Sequence, residues 1–154
     1  MLTEKEWLFI NEIIQEIYKS KTLSGLGEIF LLLIRKLIPF KAAELSLVDD
    51  QLHDKQYAAV GISEDDVREY NEKYVKSDYR NAIFTFPKSM SYCDSDLINE
   101  DKKRDTALYK NWLAPMGMEF CGGLMIRVSR EMICCINIFR GEAHGSLTER
   151  DLFI

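Results

Sequence analysis

Two apolar runs near the end of the chain, Phe120 to Val128 and Met132 to Arg140, are separated by only three polar residues, Ser129, Arg130 and Glu131. Runs of this length joined by so short a polar connector read as two strands and a hairpin loop. The chain is therefore committed to an antiparallel sheet, and a sheet is stable only when an apolar face is covered by another layer.

The covering layer is legible upstream. Thr3 and Glu6 form a capping box, so a helix over 3–20 is predicted. Its apolar stripe is Trp7, Ile10, Ile14 and Ile17 with Ile13 beside them, and its back carries Glu12, Gln15, Glu16 and Lys19. Ser24 is placed to cap a second helix over 24–38, whose body from Leu26 to Leu37 is apolar on most sides until Pro39 stops it. From Lys41 to Asp50 the period changes to two, with Ala43, Leu45 and Leu47 on one face and Glu44, Ser46 and Val48 on the other, as in a strand. A polar turn at Asp49 to Asp54 leads to a partner strand through Tyr57, Ala58, Ala59 and Val60, closed by Gly61. Ser63 with Asp66 caps another helix, lined by Val67, Tyr70 and Tyr74. Asp78 to Ser91 shows no period and reads as a long loop or short strand, the kind of segment that in a compact domain is often functional. A brief strand at Ser91 to Cys93, a polar loop at Asp94 to Asp101 and a helix through Leu108, Tyr109, Trp112 and Leu113, ended by Pro115 and Gly117, complete the middle of the chain. Leu147, Thr148, Asp151 and Leu152 give a final capping box with a hydrophobic staple. One turn is far too little for a helix to hold itself, so the chain is expected to be the front piece of a longer protein.

The 154 residues form a single domain, 1–154, of α+β class, an antiparallel central sheet of five to six strands flanked by helices. Its 20 basic against 25 acidic residues leave a net charge of -5, and an acidic chain lacks the basic face that gripping a duplex needs. The start MLTEKEW is no signal peptide, and the longest apolar stretch, Ile29 to Ile34, is broken by Arg35 and Lys36, so a cytoplasmic protein without a membrane span is expected. Cys93, Cys121, Cys134 and Cys135 form no C-x-x-C pair and read as reduced residues, most of them in the core.

The succession Tyr109, Trp112, Leu113, Pro115, Met116, Gly117, then Ile136, Asn137, Ile138, Phe139, Arg140, then Gly145, Leu147, Thr148, Asp151, Leu152 resembles the GAF-like (profilin-like) sensor domains that precede LuxR-type helix-turn-helix domains in bacterial transcriptional regulators. Tyr70, Tyr74, Asp78 and the run Tyr92, Asp94, Asp96, Leu97 resemble the same group, so the similarity covers 42–152. The resemblance implies a pocket on one side of the sheet, homodimers paired through the N-terminal and the truncated C-terminal helices, and contact with DNA only through a domain missing from this chain.

Specific chemistries of the wider GAF group are not assembled. The Asn-Lys…Phe…Asp-Glu signature of cyclic-nucleotide binders is missing, and neither His53 nor His144 adjoins a cysteine as bilin attachment requires. No hydrolase, phosphate-loop or dinucleotide fingerprint occurs, and no metal or cofactor is expected. Asp65 and Asp66 belong to a helix N-terminus rather than to an acid/base pair.

The candidate ligand-binding residues are aromatic: Tyr70, Tyr74, Tyr79, Phe84, Phe86, Tyr92, Trp112 and Phe120 all fall where the resemblance places the pocket. Two readings fit them. Rings with a few hydroxyl and indole donors suit a small, mostly apolar organic ligand, and the same rings suit the packing between sheet and helices. The leading expectation is a non-enzymatic sensory domain, and a pocket already filled by Phe84, Phe86 and Trp112 would count against it. A ligand-free dimerisation module and a thiol redox enzyme using Cys93 or Cys121 are the alternatives.

Overall fold

The computed structural model describes residues 2–154, with the side chains of residues 23, 24 and 54–57 outside the description. Its strands are β1 (Ala42–Asp49), β2 (Asp54–Val60), β3 (Met90–Cys93), β4 (Phe120–Arg127) and β5 (Met132–Arg140). They form one five-stranded sheet in the order β2-β1-β5-β4-β3, antiparallel at every pairing. The predicted hairpin is the β4–β5 pair, running from Phe120 opposite Arg140 to Arg127 opposite Ile133. β5 lies at the centre, paired with β1 on its other side. That central place explains why its sequence is apolar nearly throughout: both of its faces are covered.

Helices α1 (Glu4–Lys19) and α2 (Leu23–Ile34) cover one face. The capping box at Thr3 forms as expected, with the Thr3 amide donating to Glu6 at 2.8 Å and the Glu6 amide donating to the Thr3 hydroxyl at 3.3 Å. The expected cap of α2, the side chain of Ser24, lies outside the described residues. The cap observed is Thr22, whose hydroxyl accepts from the Gly25 amide at 3.2 Å, and the helix starts one residue earlier than predicted. Gly27 lets α2 rest directly on the sheet, since a Cβ there would lie 2.5 Å from the Cβ of Ala58. Ile13, Leu31, Ile38, Phe40, Ala43, Leu45, Ile136 and Ile138 make the core between these helices and the sheet, with Phe9 and Ile10 packed against it. Trp7, Ile14 and Ile17 of the predicted stripe turn away from that core and are exposed, whereas Ile10 points into it.

Short elements build the other layer. They are α3 (Glu64–Lys73), 3-10 turns Val75–Ser77 and Tyr79–Thr85, α4 (Asp94–Leu97), α5 (Glu100–Asp105) and a π-helical turn Tyr109–Leu113. The stretch expected to be a loop or strand after Asp78 is thus mostly a 3-10 turn, and the predicted polar loop from Asp94 contains a four-residue helix. Both are too short to leave a periodic signature. This layer packs on the sheet through Tyr74, Leu108, Trp112, Leu113, Met118 and Phe139, and through Ile83, Tyr92, Met125, Ile133 and Cys135.

At the end of the chain, α6 (Glu149–Phe153) begins on the predicted capping box of Thr148 and Asp151. It is tied to β5 by Arg140, whose Nη1 donates to Asp151 at 3.0 Å, and to α1 by an Arg150–Glu6 ion pair. Among the described residues, no helix is long and apolar enough to cross a membrane.

Candidate functional site

The alternation in β1 gives it two faces, and the one carrying Glu44 and Ser46 is buried rather than solvated. Beside it in the sheet, β5 places Asn137 on the same face, with register partners Glu44 and Asn137 directly opposite each other. The Asn137 side-chain amide donates to Glu44 Oε1 at 2.8 Å, and the Tyr92 hydroxyl, from β3, donates to Asn137 Oδ1. A row of hydrogen-bonded polar groups therefore crosses the middle of the sheet where apolar side chains would be the default.

The second layer lowers a buried ion pair onto this row. Asp78 is the N-cap of the Tyr79–Thr85 turn, its carboxylate accepting from the Arg80 amide at 2.7 Å. The turn folds the Arg80 side chain back over the same carboxylate, with Nε at 2.9 Å and Nη2 at 2.5 Å from Oδ2. The Tyr70 hydroxyl of α3 donates to that oxygen at 2.7 Å. The guanidinium also lies over two rings, 5.3 Å from the centroid of Phe139 and 5.6 Å from that of Tyr70. Its remaining nitrogen, Nη1, faces Cys121 Sγ at 3.8 Å and Glu44 Oε1 at 3.9 Å. Burial works against the charge on Arg80, but the Asp78 carboxylate, together with Tyr70 and Cys121, outweighs it and holds the guanidinium protonated. Burial also pushes the Tyr70, Tyr92 and Cys121 protons well above their ordinary pKa values, so the two hydroxyls stay neutral donors and Cys121 a neutral thiol.

Between the row and the ion pair a cavity of about 40 Å³ remains, lined by Glu44, Ser46, Tyr70, Asp78, Arg80, Asn81, Tyr92 and Asn137. Val48, Val75, Ile83 and Phe84 form its apolar side, and Val48, Val75, Asn81 and Phe84 are only partly buried, so this side opens toward the surface. Of Phe84, Phe86 and Trp112, the rings expected to fill a closed pocket, Phe84 lines this cavity, whereas Phe86 and Trp112 do not.

Three of the eight aromatic candidates, Tyr70, Phe84 and Tyr92, line this cavity. Tyr74 and Trp112 sit in the neighbouring apolar cluster, where Trp112 Nε1 donates to the Asp66 carbonyl at 3.0 Å. Phe86 packs at the edge of the cluster around Tyr92, and its carbonyl accepts from Arg127 at 2.6 Å. Tyr79 and Phe120 belong to a second polar cluster. The Tyr79 hydroxyl donates to Asp94 at 2.7 Å, and buried Lys103 donates to Asp94 at 3.2 Å, its ammonium 5.6 Å from the Phe120 ring. Burial raises the Asp94 pKa despite Lys103. The sequence reading missed Glu44, Asp78, Arg80 and Asn137 as site residues. One polar residue inside Ile133–Phe139 of an otherwise apolar strand was the signal available.

The cysteines are separated by the pleat. Cys93 stands opposite Gly122, whereas Cys121, one residue earlier on β4, turns its thiol to Arg80 on the other face. No group of three or more His, Cys, Asp or Glu among the described residues is placed to hold a metal. His53 is exposed on the β1–β2 turn, 3.0 Å from Asp49, and His144 is exposed on the turn after β5.

No family model matches the chain, and no curated protein is similar enough to match. Similarity is found among solved structures. The ligand-binding domain of VqsR from Pseudomonas aeruginosa superposes with a TM-score of 0.74 at 10% identity, covering 98% of this chain and 87% of that one. CepR2 from Burkholderia cenocepacia, an N-acylhomoserine lactone-dependent LuxR-family transcription factor, gives 0.67 at 9% identity, covering 97% and 85%. SdiA in complex with octanoyl-rac-glycerol gives 0.61 at 12% identity, covering 99% of this chain and 61% of SdiA. The fold is that of the ligand-binding domains of LuxR-type regulators and of GAF-like sensor domains.

Proposed function

We propose that this chain is the sensing domain of a bacterial transcriptional regulator, without a catalytic step of its own. A small organic molecule enters the cavity under the Val75–Ser89 segment and biases how that segment and the flanking helices are held. The observation that carries this reading is the polar constellation itself. A core needs no charge, and burying Glu44, Asp78 and Arg80 costs desolvation that their pairing need not repay, so their presence in the interior supports a role beyond packing. The fold shared with ligand-binding domains supports it, as do the ligands named for CepR2 and SdiA.

At about 40 Å³ the cavity is far below the roughly 300–1,000 Å³ of ordinary ligand sites, so uptake requires the Val75–Ser89 segment to move outward. In this reading the domain acts as a cytoplasmic homodimer, and DNA is contacted by another part of the regulator. A thermal-shift panel of short amphiphilic molecules, octanoyl glycerol and acylated lactones among them, tests the reading. A ligand at a hundred times its Kd stabilises by about 2.7 kcal/mol, which raises Tm by roughly 5–10 °C for a domain of this size. A panel that leaves Tm unmoved throughout contradicts it.

A second reading, a dimerisation module without a ligand, is favoured by one observation: Trp7, Leu8, Ile14, Ile17, Ile29 and Leu32 are exposed on α1 and α2.

A further inference from the structure

The sheet carries a second cavity, on the face opposite the polar one. The pleat of β5 turns Asn137 toward the polar cavity and its neighbours Ile136 and Ile138 to the other side, where they floor a recess of about 230 Å³. Ile38 and Leu147 complete the floor, and all four floor residues are buried. Gly122 on β4 lets Leu147 lie close against the sheet, since a Cβ there would stand 2.4 Å from Leu147 Cδ1. Phe30 and Ile34 of α2 make one wall and Leu152 and Phe153 of α6 the other, with Leu124 of β4 exposed at the rim. One turn of helix with its side chains, about 10 Å across and 5.4 Å long, fills on the order of 400 Å³. The recess is too small for that and suits a small molecule rather than a helical segment of another chain.

Its lining offers nothing to a charge. No Lys, Arg or His belongs to the described lining, and the one carboxylate, Asp151, is already engaged. Asp151 Oδ2 accepts from Arg140 Nη1 and from the Thr148 amide, each at 3.0 Å, and Oδ1 lies 3.5 Å from Arg150. A charged head group would lose its water here without gaining a partner. One neutral polar group stands ready. Ser91 is opposite Leu124 in the β3–β4 register, which puts its side chain on the recess face, and its hydroxyl makes no hydrogen bond among the described residues. A cavity of about 150 Å³ holds a benzene ring, so about 230 Å³ takes roughly six to nine carbons.

We infer that this recess is a second ligand site, for an uncharged aliphatic molecule of medium length whose single hydroxyl bonds the Ser91 hydroxyl. The backbone of β5 separates it from the polar cavity, and the inference stands whether or not that cavity takes a ligand of its own.

The test uses the chain with isotopically labelled isoleucine methyl groups, titrated with 1-hexanol, sodium hexanoate and hexylammonium chloride at matched ionic strength. Hexanol is expected to move the methyl resonances of Ile38, Ile136 and Ile138 and to leave that of Ile83, which lines the polar cavity, in place. Hexanoate and hexylammonium should move none of them at the same concentration. Ser91→Ala, at a partly exposed strand position, should weaken hexanol binding about two- to tenfold. An unchanged affinity in that variant overturns the hydroxyl seat, and an equal response to either ion overturns the uncharged class. A hexanol shift at Ile83 alone assigns the alcohol to the polar cavity and overturns the second site, as does the absence of any shift. If the three floor methyls move with protein concentration and not with hexanol, the recess is a contact between copies of the chain and the inference falls. Should Ser91→Ala not fold, the ranking of the three probes on the unaltered chain decides alone.

Discussion

At the scale of single residues, Arg80 is where stability and function meet. Its guanidinium is the one cation in the described lining of this cavity and stands 2.5 Å from the Asp78 carboxylate, so removing it takes away the charge paired with buried Asp78. Arg80→Met is predicted to cost about 3–5 kcal/mol, the range for breaking one partner of a buried pair. Arg68→Met, at the exposed Arg68–Asp65 pair, should cost under about 1 kcal/mol. Urea unfolding of the two variants beside the unaltered chain measures both, and equal midpoints for Arg80→Met and Arg68→Met would mean that water reaches Asp78.

At the scale of elements, α6 is held by a titratable clamp. Burial by itself would raise the Asp151 pKa, but the amide and hydroxyl of Thr148 and the Arg140 guanidinium hold it below its ordinary 3.8. A carboxyl with a depressed folded-state pKa contributes stability that is present above the unfolded value and is lost as pH falls through the folded one. The destabilisation caused by Asp151→Asn should therefore be larger at pH 7 than at pH 3 in urea melts, and a constant difference would contradict the clamp. Thr148→Ala, which removes the cap hydroxyl, should cost about 0.5–2 kcal/mol.

Capping boxes of this kind are what the sequence discloses best, because cap and partner lie three residues apart and need no tertiary knowledge. The β4–β5 hairpin is legible for the same local reason. The polar face of β1 is not. Glu44 and Ser46 alternate with apolar residues as in a strand with one wet face, and only the packing of short, aperiodic turns over that face makes it an interior. Arg80 is hidden likewise, since its burial depends on the Asp78 cap folding it inward. Asn137 alone stands out in sequence, one polar residue in an apolar central strand.

At the scale of the whole molecule, two covered sheet faces leave apolar surface on the helical side. Trp7 is 48% exposed, Ile14 42% and Ile29 52%, a larger apolar display than solvated helices need. The proposed homodimer uses this surface. Ile14→Glu is then predicted to shift the chain from dimer to monomer in light scattering without lowering Tm by more than a few degrees, and an unchanged mass would place the pairing elsewhere.

The central claim is that the Val75–Ser89 segment opens over a polar cavity while the sheet stays intact. Native-state amide hydrogen exchange tests this directly by comparing residues 75–89 with those of β1 and β5. The account predicts that the segment exchanges through local opening at a free energy well below that of the two central strands, and that a bound ligand slows it. Exchange of the segment only through global unfolding, at the same free energy as β5, would contradict the account and leave the constellation of Glu44, Asp78, Arg80 and Asn137 a closed part of the core.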